Sequence, residues 1–252
     1  MGRIIAVSNQ KGGVGKTSTC INLGAGLALK GKKVLLCDLD PQGNTTTGLG
    51  IEKSTLKKST YDVLIDGTPV SDAVCDTSVD GLKILPSNID LAGAEVELVS
   101  LRGREKRLAT ALNAVKDNYD YILIDCPPAI GLITVNGLAA ADGVLIPIQS
   151  EYYALEGLTQ LMNTINLVKK GLNPSLTIDG VLITMYDSRA LVSRQIKDEI
   201  EKYFGKKVYN TVIPRNIRIS EAPSYGLPVM LHDKKCKGSV AYCELVEEFL
   251  GR

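Results

Sequence analysis

Tryptophan is absent from this chain, phenylalanine occurs twice and histidine once, as His232. With aromatic residues at only 5% of 252 positions, stacking of unpaired bases on rings is not the expected mode of any nucleic-acid contact. A lone histidine also excludes a zinc site built on histidines. The six cysteines (Cys20, Cys37, Cys75, Cys126, Cys236 and Cys243) never form C-x-x-C, and most lie in apolar company. Buried free thiols are therefore expected rather than a disulfide framework or a metal cluster. No apolar stretch approaches the roughly 18 to 20 residues that span a bilayer, and the first residues run straight into a strand pattern. The expectation is a soluble cytoplasmic protein. A net charge of +1 names no partner.

What the chain does have is core: 44% of it is hydrophobic, enough for one large α/β domain or two small ones. Short, nearly continuous aliphatic runs recur at Arg3 to Ser8, Lys33 to Asp38, Gly81 to Pro86, Tyr121 to Asp125, Gly143 to Ile148, Ile178 to Met185 and Lys207 to Ile213. Such runs suit strands covered on both faces of a parallel sheet. Stretches with helical spacing separate them: Thr17 to Lys30, Arg102 to Lys116, Leu155 to Lys170 and Leu191 to Tyr203, with Gly238 to Leu250 closing the chain. Alternation of this kind predicts a doubly wound, mostly parallel sheet flanked by helices. No linker, repeat or low-complexity tract interrupts it, so residues 1–252 read as a single domain.

Residues 9 to 18 read NQKGGVGKTS, between the first strand and the first helix. The usual phosphate-loop pattern, G-x-x-x-x-G-K-[ST], wants a glycine six places before the lysine, where this chain has Gln10. The strand-loop-helix context is nevertheless the one a phosphate site requires, so Lys11, Gly12, Gly13, Val14, Gly15, Lys16, Thr17 and Ser18 are the candidate nucleotide-binding residues. Gly12, Gly13 and Gly15 let backbone N–H groups converge on phosphate oxygens, and the helix N-terminus adds partial positive charge. Lys16 would hold the β and γ phosphates of a nucleotide such as ATP, and the Thr17 hydroxyl would ligate Mg²⁺.

Carboxylates complete the pattern. YILIDCPP leads four apolar residues into Asp125, which suits a residue holding the magnesium through water, as in a Walker B strand. VLLCDLDPQGNTTTGLG supplies Asp38 and Asp40 before a Gly/Thr-rich segment that could order around a γ-phosphate. Asp38 is the candidate for supporting Mg²⁺ and Asp40 for orienting the attacking water, although the sequence is also compatible with two solvated loop carboxylates. The catalytic candidates are thus Lys11, Lys16 and Asp40, and those for metal are Thr17, Asp38 and Asp125.

KGGVGKTS, DLDPQGN, YILIDCPP and VIPRNIRISEAPSYGLPV, in that order and spanning Ile4 to about Asp233, resemble the ParA/Soj chromosome- and plasmid-partitioning ATPases. That family belongs to the deviant Walker A group, which includes MinD. The resemblance implies a P-loop NTPase in which two ATP-loaded subunits pack face to face. Lys11 matches the early loop lysine that reaches the partner's phosphates, where it would act as an arginine finger does elsewhere. Gly12 would permit the loops to approach. Ser18 stands where these relatives usually have threonine, with the hydroxyl retained. Pro214 and Asn216 match a segment that contacts adenine; a proline that merely ends the strand is equally compatible with the sequence.

From Arg189 to Lys237, eleven Lys or Arg face five Asp or Glu, a local excess of +6. A solvated surface explains many such runs. The resemblance gives this one a purpose, because the family binds double-stranded DNA without sequence preference once the ATP homodimer forms, and Arg189 and Arg218 match positions implicated in that contact. Arg194, Lys197, Lys202, Lys206, Lys234, Lys235 and Lys237 could add to the field. Phosphate contact is the expected mode. The resemblance further implies a nucleoid-associated protein whose hydrolysis is stimulated by a ParB-type centromere-binding partner, and it admits the replication initiator DnaA as another.

Three alternatives share the scaffold. A MinD-like membrane-associated positioning ATPase needs a basic amphipathic C-terminal helix, whereas KGSVAYCELVEEFLGR carries Glu244, Glu247 and Glu248, so no membrane partner is expected. An iron-sulfur carrier needs closely spaced cysteines. A biosynthetic enzyme such as a dethiobiotin synthetase is opposed by SEAPSYG and by Lys11.

Overall fold

The computed structural model describes residues 2–151 and 154–252. Its strands are β1 (Arg3–Val7), β2 (Val34–Asp38), β3 (Cys75–Asp76), β4 (Leu82–Leu85), β5 (Tyr121–Asp125), β6 (Gly143–Gln149), β7 (Thr177–Tyr186) and β8 (Val208–Pro214). They form one sheet in the order β3-β4-β2-β5-β1-β6-β7-β8, parallel throughout except for the β3–β4 pair. The longer helices are α1 (Lys16–Leu29), α2 (Arg107–Asn113), α3 (Leu132–Ala140), α4 (Ala154–Gly171), α5 (Leu191–Phe204) and α6 (Lys237–Leu250).

Period-two alternation along the strands divides the core. Ile4 and Ala6 of β1 face a layer holding Leu108, Leu138, Leu161 and Ile200, while Ile5 and Val7 face Leu23, Leu27, Leu245 and Phe249. Both faces are covered, which is why the strands read as continuous apolar runs. Helix α1 lies close on the sheet because Gly24 has no side chain: a Cβ there would sit 2.6 Å from Leu36 Cδ2. Helix α6 spends its apolar stripe on this core, with Tyr242, Leu245, Val246 and Phe249 buried. Glu244 and Glu247 lie on its exposed side.

All seven expected strands form, with ends shifted by a residue or so. The expected helix from Arg102 to Lys116 is shorter, Arg107–Asn113, because the preceding residues turn through Gly103 at φ 63°. Helix α3 was not expected: Leu132–Ala140 mixes buried apolar residues with buried Thr134 and Asn136 and shows no helical period. Nor were β3 or the short helix Asn44–Gly48. The thiols are all free. Cys20, Cys37 and Cys126 are buried as expected, whereas Cys75 and Cys236 are half-buried and Cys243 is exposed on the outer side of α6.

Candidate active site

Strands β5 and β6 leave β1 on opposite sides, so the chain reverses its winding there, and ligands of open α/β sheets sit beyond the carboxyl ends of such strands. The register pairs both Val7 and Asp38 with Asp125. The phosphate loop and two carboxylates thus emerge side by side from neighbouring strands.

Within the loop, Asn9 acts as a bracket: its Nδ2 donates to the Pro147 carbonyl at 2.7 Å, and its Oδ1 accepts from the Lys11 N–H at 3.0 Å. Gly13 and Gly15 have φ of 73° and 87°, a left-handed conformation that side chains resist. A Cβ on Gly12 or Gly13 would meet nothing within 4 Å, so this side of the loop is open to an approaching surface. Helix α1 begins at Lys16 without a side-chain cap, which leaves its first N–H groups for an anion. The Lys16 side chain is buried and its Nζ lies across the loop, donating to the Lys11 carbonyl at 3.0 Å. Burial lowers its pKa, opposed by Asp125, Cys126 and Asp40.

Asp38 and Asp125 are both buried. Asp125 Oδ2 accepts from Thr17 Oγ1 at 2.8 Å and Thr45 Oγ1 at 2.6 Å. Asp38 Oδ2 accepts from the Thr46 N–H at 2.8 Å and Thr46 Oγ1 at 2.7 Å, and Oδ1 from the Asp40 N–H at 3.2 Å. Burial, then the charge of Asp125, pushes the Asp38 carboxyl above its ordinary range; burial does the same to Asp125, held back by Thr45, Thr17 and Lys16. Two desolvated carboxylates call for a cation. Asp125 Oδ1 is moreover buried with no hydrogen-bond partner among the described residues, and the donor set of hydroxyl and carboxylate oxygens is what a hard divalent ion takes. These residues fit magnesium. The neighbouring Cys126 thiol is pushed up to about 12 by burial and by Asp125, so it stays protonated and inert.

The other two catalytic candidates point elsewhere in the single subunit. Lys11 Nζ pairs with Glu151 Oε2 of its own chain at 3.2 Å, and Arg215 approaches the other oxygen of Glu151 at 3.8 Å. Asp40 Oδ1 accepts from the Gln42 N–H at 2.9 Å, a local turn at the mouth of β2. Pro214 and Asn216, by contrast, are brought directly to the loop: they line a cavity of about 320 Å³ with Gly15, Ser18, Thr184 and Met185. Asn216 Oδ1 already accepts from the Arg218 N–H at 2.9 Å, which leaves its Nδ2 to donate.

A family model described as an AAA domain matches residues 2–178. The chain is 57% identical over 248 residues to the sporulation initiation inhibitor protein Soj of Bacillus subtilis (strain 168), covering 98% of each. The chain belongs to the ParA/Soj family. It is also 52% identical to the chromosome partitioning protein ParA of Caulobacter vibrioides, over 99% of this chain and 94% of that one. Among solved structures, cobyrinic acid a,c-diamide synthase from Mycobacterium smegmatis with bound ADP and magnesium superposes with a TM-score of 0.88 at 40% identity, covering 100% of this chain and 97% of that one.

In this ParA/Soj chain, sequence reasoning took NTTTG as one segment and missed its division of labour. Successive residues of a helix point about 100° apart, so Thr45 reaches Asp125 while Thr46 reaches Asp38. Thr184 was missed too: its Oγ1 donates to the Val14 carbonyl at 2.8 Å and ties β7 to the loop. No local motif announces Thr184 or Glu151, because topology alone carries them to the site.

The basic quarter is exposed, and its two named arginines are already engaged. Asp187 grips Arg189 through two bonds of 3.0 Å, and Arg189 holds the Asp187 carboxyl down at about 2. Arg218 bonds Glu221 at 2.8 Å and lies 3.5 Å from Asp233. Lys197 pairs with Glu201 at 3.3 Å. Arg194, Lys202, Lys206, Lys234, Lys235 and Lys237 are exposed and have no ion pair among the described residues.

Proposed function

We propose that this chain is one ATPase domain that takes ATP with Mg²⁺, closes into a nucleotide-sandwich homodimer, holds DNA through phosphate contacts, and releases it when a ParB-type partner stimulates hydrolysis. The observation that carries the reading is the pair of buried carboxylates, one with an orphaned oxygen, beside a glycine-rich loop at a helix N-terminus. Support comes from the partitioning relatives and from the Mycobacterium smegmatis structures, one with ADP and magnesium and one with an ATP analogue and magnesium.

In this mechanism the loop N–H groups and Lys16 bind the phosphates, and Lys16 gives up the Lys11 carbonyl to do so. Thr17, Asp38 and Asp125 would hold the magnesium, which would supply neutralisation of phosphate charge. Asp40 orients the attacking water. Pro214 and the free Nδ2 of Asn216 receive the base. Lys11 exchanges Glu151 for the triphosphate of the facing subunit, and the exchange is easy because an exposed ion pair is worth only about 0–1 kcal/mol. Arg189, Arg218 and the unpaired lysines supply the DNA field, doubled on dimerisation. The protein would associate with the nucleoid, and DnaA is a further partner to probe.

One observation favours a second reading: the relative named as a synthase keeps 40% identity over the whole chain, so an amide-forming ATP enzyme on this scaffold is a definite competitor. Purified protein loaded with a non-hydrolysable ATP analogue and Mg²⁺ separates the two. Sedimentation should show a dimer, and a DNA shift should require the analogue. Single subunits at every workable concentration, with the analogue demonstrably bound, would sink the switch. ATP turnover raised by cobyrinic acid with glutamine or ammonia, and unmoved by DNA, would install the synthase reading instead.

A further inference from the structure

The two loops that carry the site's carboxylates are joined through a third segment, Ser87 to Glu95, to which neither reading of the site assigns a role. Its first end is fastened to the Asp38 side: the buried Ser87 N–H donates to Thr46 Oγ1 at 2.9 Å, the same hydroxyl that donates to Asp38. Thr60 Oγ1 doubles the fastening, at 2.8 Å from the Asp38 carbonyl and 3.0 Å from that of Pro86. Its other end is fastened to the Asp125 side. Glu95 Oε2 accepts from the Leu132 N–H at 2.9 Å and Oε1 from the Ile133 N–H at 3.1 Å, the first two N–H groups of helix α3.

Helix α3 needs that outside help. It follows Asp125 through Cys126-Pro-Pro-Ala-Ile-Gly131, and its cap position is Gly131, which has no side chain to offer. A carboxylate there satisfies two orphan donors and faces the positive end of the helix. Gly131 is small for the same reason: a Cβ on it would lie 2.3 Å from Glu95 Oε1 and 2.6 Å from Oε2, so any side chain would push the carboxylate off the helix. The far part of α3 is held independently by Asn136, which bonds the Leu108 N–H at 3.1 Å and the Arg104 carbonyl at 2.7 Å. Glu95 therefore governs the first turn and the loop behind Asp125, and little else.

We infer that Glu95 is a positioning residue for ATP hydrolysis: the segment it ends makes the Asp38 loop and the Asp125 loop move as one. The inference rests on Asp38 and Asp125 serving the ATP site. The test is a double-mutant cycle with Glu95→Ala, Gly131→Ala and both together, read as kcat and KM for Mg-ATP alongside thermal melting. Each single variant is expected to lose about fivefold to tenfold in kcat, the size of a lost helix cap, with KM within about twofold. The double variant should be no worse than either single one, because Gly131→Ala acts by displacing Glu95. The isosteric Glu95→Gln, which keeps one acceptor oxygen, should fall between, and it serves if Gly131→Ala fails to fold. Losses that multiply in the double variant, or a lowered melting temperature at unchanged kcat, would overturn the coupling. A wild-type protein with no Mg-ATP turnover at all would instead count against the ATPase reading.

Discussion

The carboxylate cluster and the basic quarter each gather charge of one sign, and they treat it in opposite ways. Asp38 and Asp125 are buried and fixed by hydroxyls from one short helix, and Asp125 Oδ1 is an acceptor that none of the described residues satisfies. The cations between Arg189 and Lys237 are exposed, apart from the half-buried Lys197, and either paired with nearby carboxylates or facing solvent. A desolvated charge without a partner costs several kcal/mol, so the buried pair specifies one kind of ligand in one place. Exposed charges are screened within about 8 Å at physiological salt and count mainly as a sum. Single substitutions should therefore be decisive in the first region and graded in the second.

The largest effect is expected from Lys16→Ala. It removes the one buried cation from the loop, so that within the subunit's own loop only backbone N–H groups remain to meet the phosphates. Turnover should drop by about 10³-fold, compounded by binding weakened about tenfold or more, with loss of every ATP-dependent response. Calorimetry with Mg-ATP and a DNA shift check this; retained ATP-dependent DNA binding rules out the phosphate role. Asp40→Ala comes next. Its carboxylate makes only a local turn, so ATP binding and dimerisation should survive while hydrolysis falls by about 10²-fold or more. Sedimentation with ATP should find a long-lived dimer, and a variant that stays monomeric contradicts the assignment.

The same contrast explains what could be read without coordinates. Aliphatic runs announced seven strands because burial on both faces leaves a continuous signature. β3 has two residues and no pattern. Helix α3 was hidden because its apolar residues show no helical period and it takes its cap from Glu95, far off in sequence. At the site, Lys16, Thr17, Asp38 and Asp125 were legible because strand-loop-helix spacing positions them, and Pro214 and Asn216 through the resemblance. Glu151 and Thr184 reach the loop only because β6 and β7 pair in register. In the basic quarter composition revealed the excess, but which cations are already neutralised depends on neighbours such as Asp187, Glu221 and Asp233.

A smaller effect follows for Arg218→Glu. The wild-type guanidinium is shared between Glu221 and Asp233, so reversal removes one phosphate contact and leaves three carboxylates in proximity. DNA affinity of the ATP-loaded dimer, which loses one such contact from each subunit, should fall by about tenfold or more, with a plot of log affinity against log salt shallower by about 2. Sedimentation should show dimerisation unchanged. An unchanged slope takes Arg218 out of the interface.

The smallest effect, and the one that sharpens the contrast most, belongs to Asp187→Asn. Asp187 holds Arg189 in a two-point grip on an exposed loop, and its carboxyl, held at about 2, is ionised at any working pH. The pair is solvent-exposed, so breaking it should leave the melting temperature almost unmoved. For DNA it should matter, because phosphate must now win Arg189 from a neutral amide rather than from a carboxylate. Affinity should rise about twofold to fivefold at low salt, and the gain should vanish as salt is raised. In an Arg189→Ala background the same change should retain only the smaller benefit of one less negative charge. A gain that survives high salt, or is undiminished without Arg189, would mean that Asp187 acts on something other than this arginine, and the basic quarter would then resemble the carboxylate cluster in depending on a particular geometry.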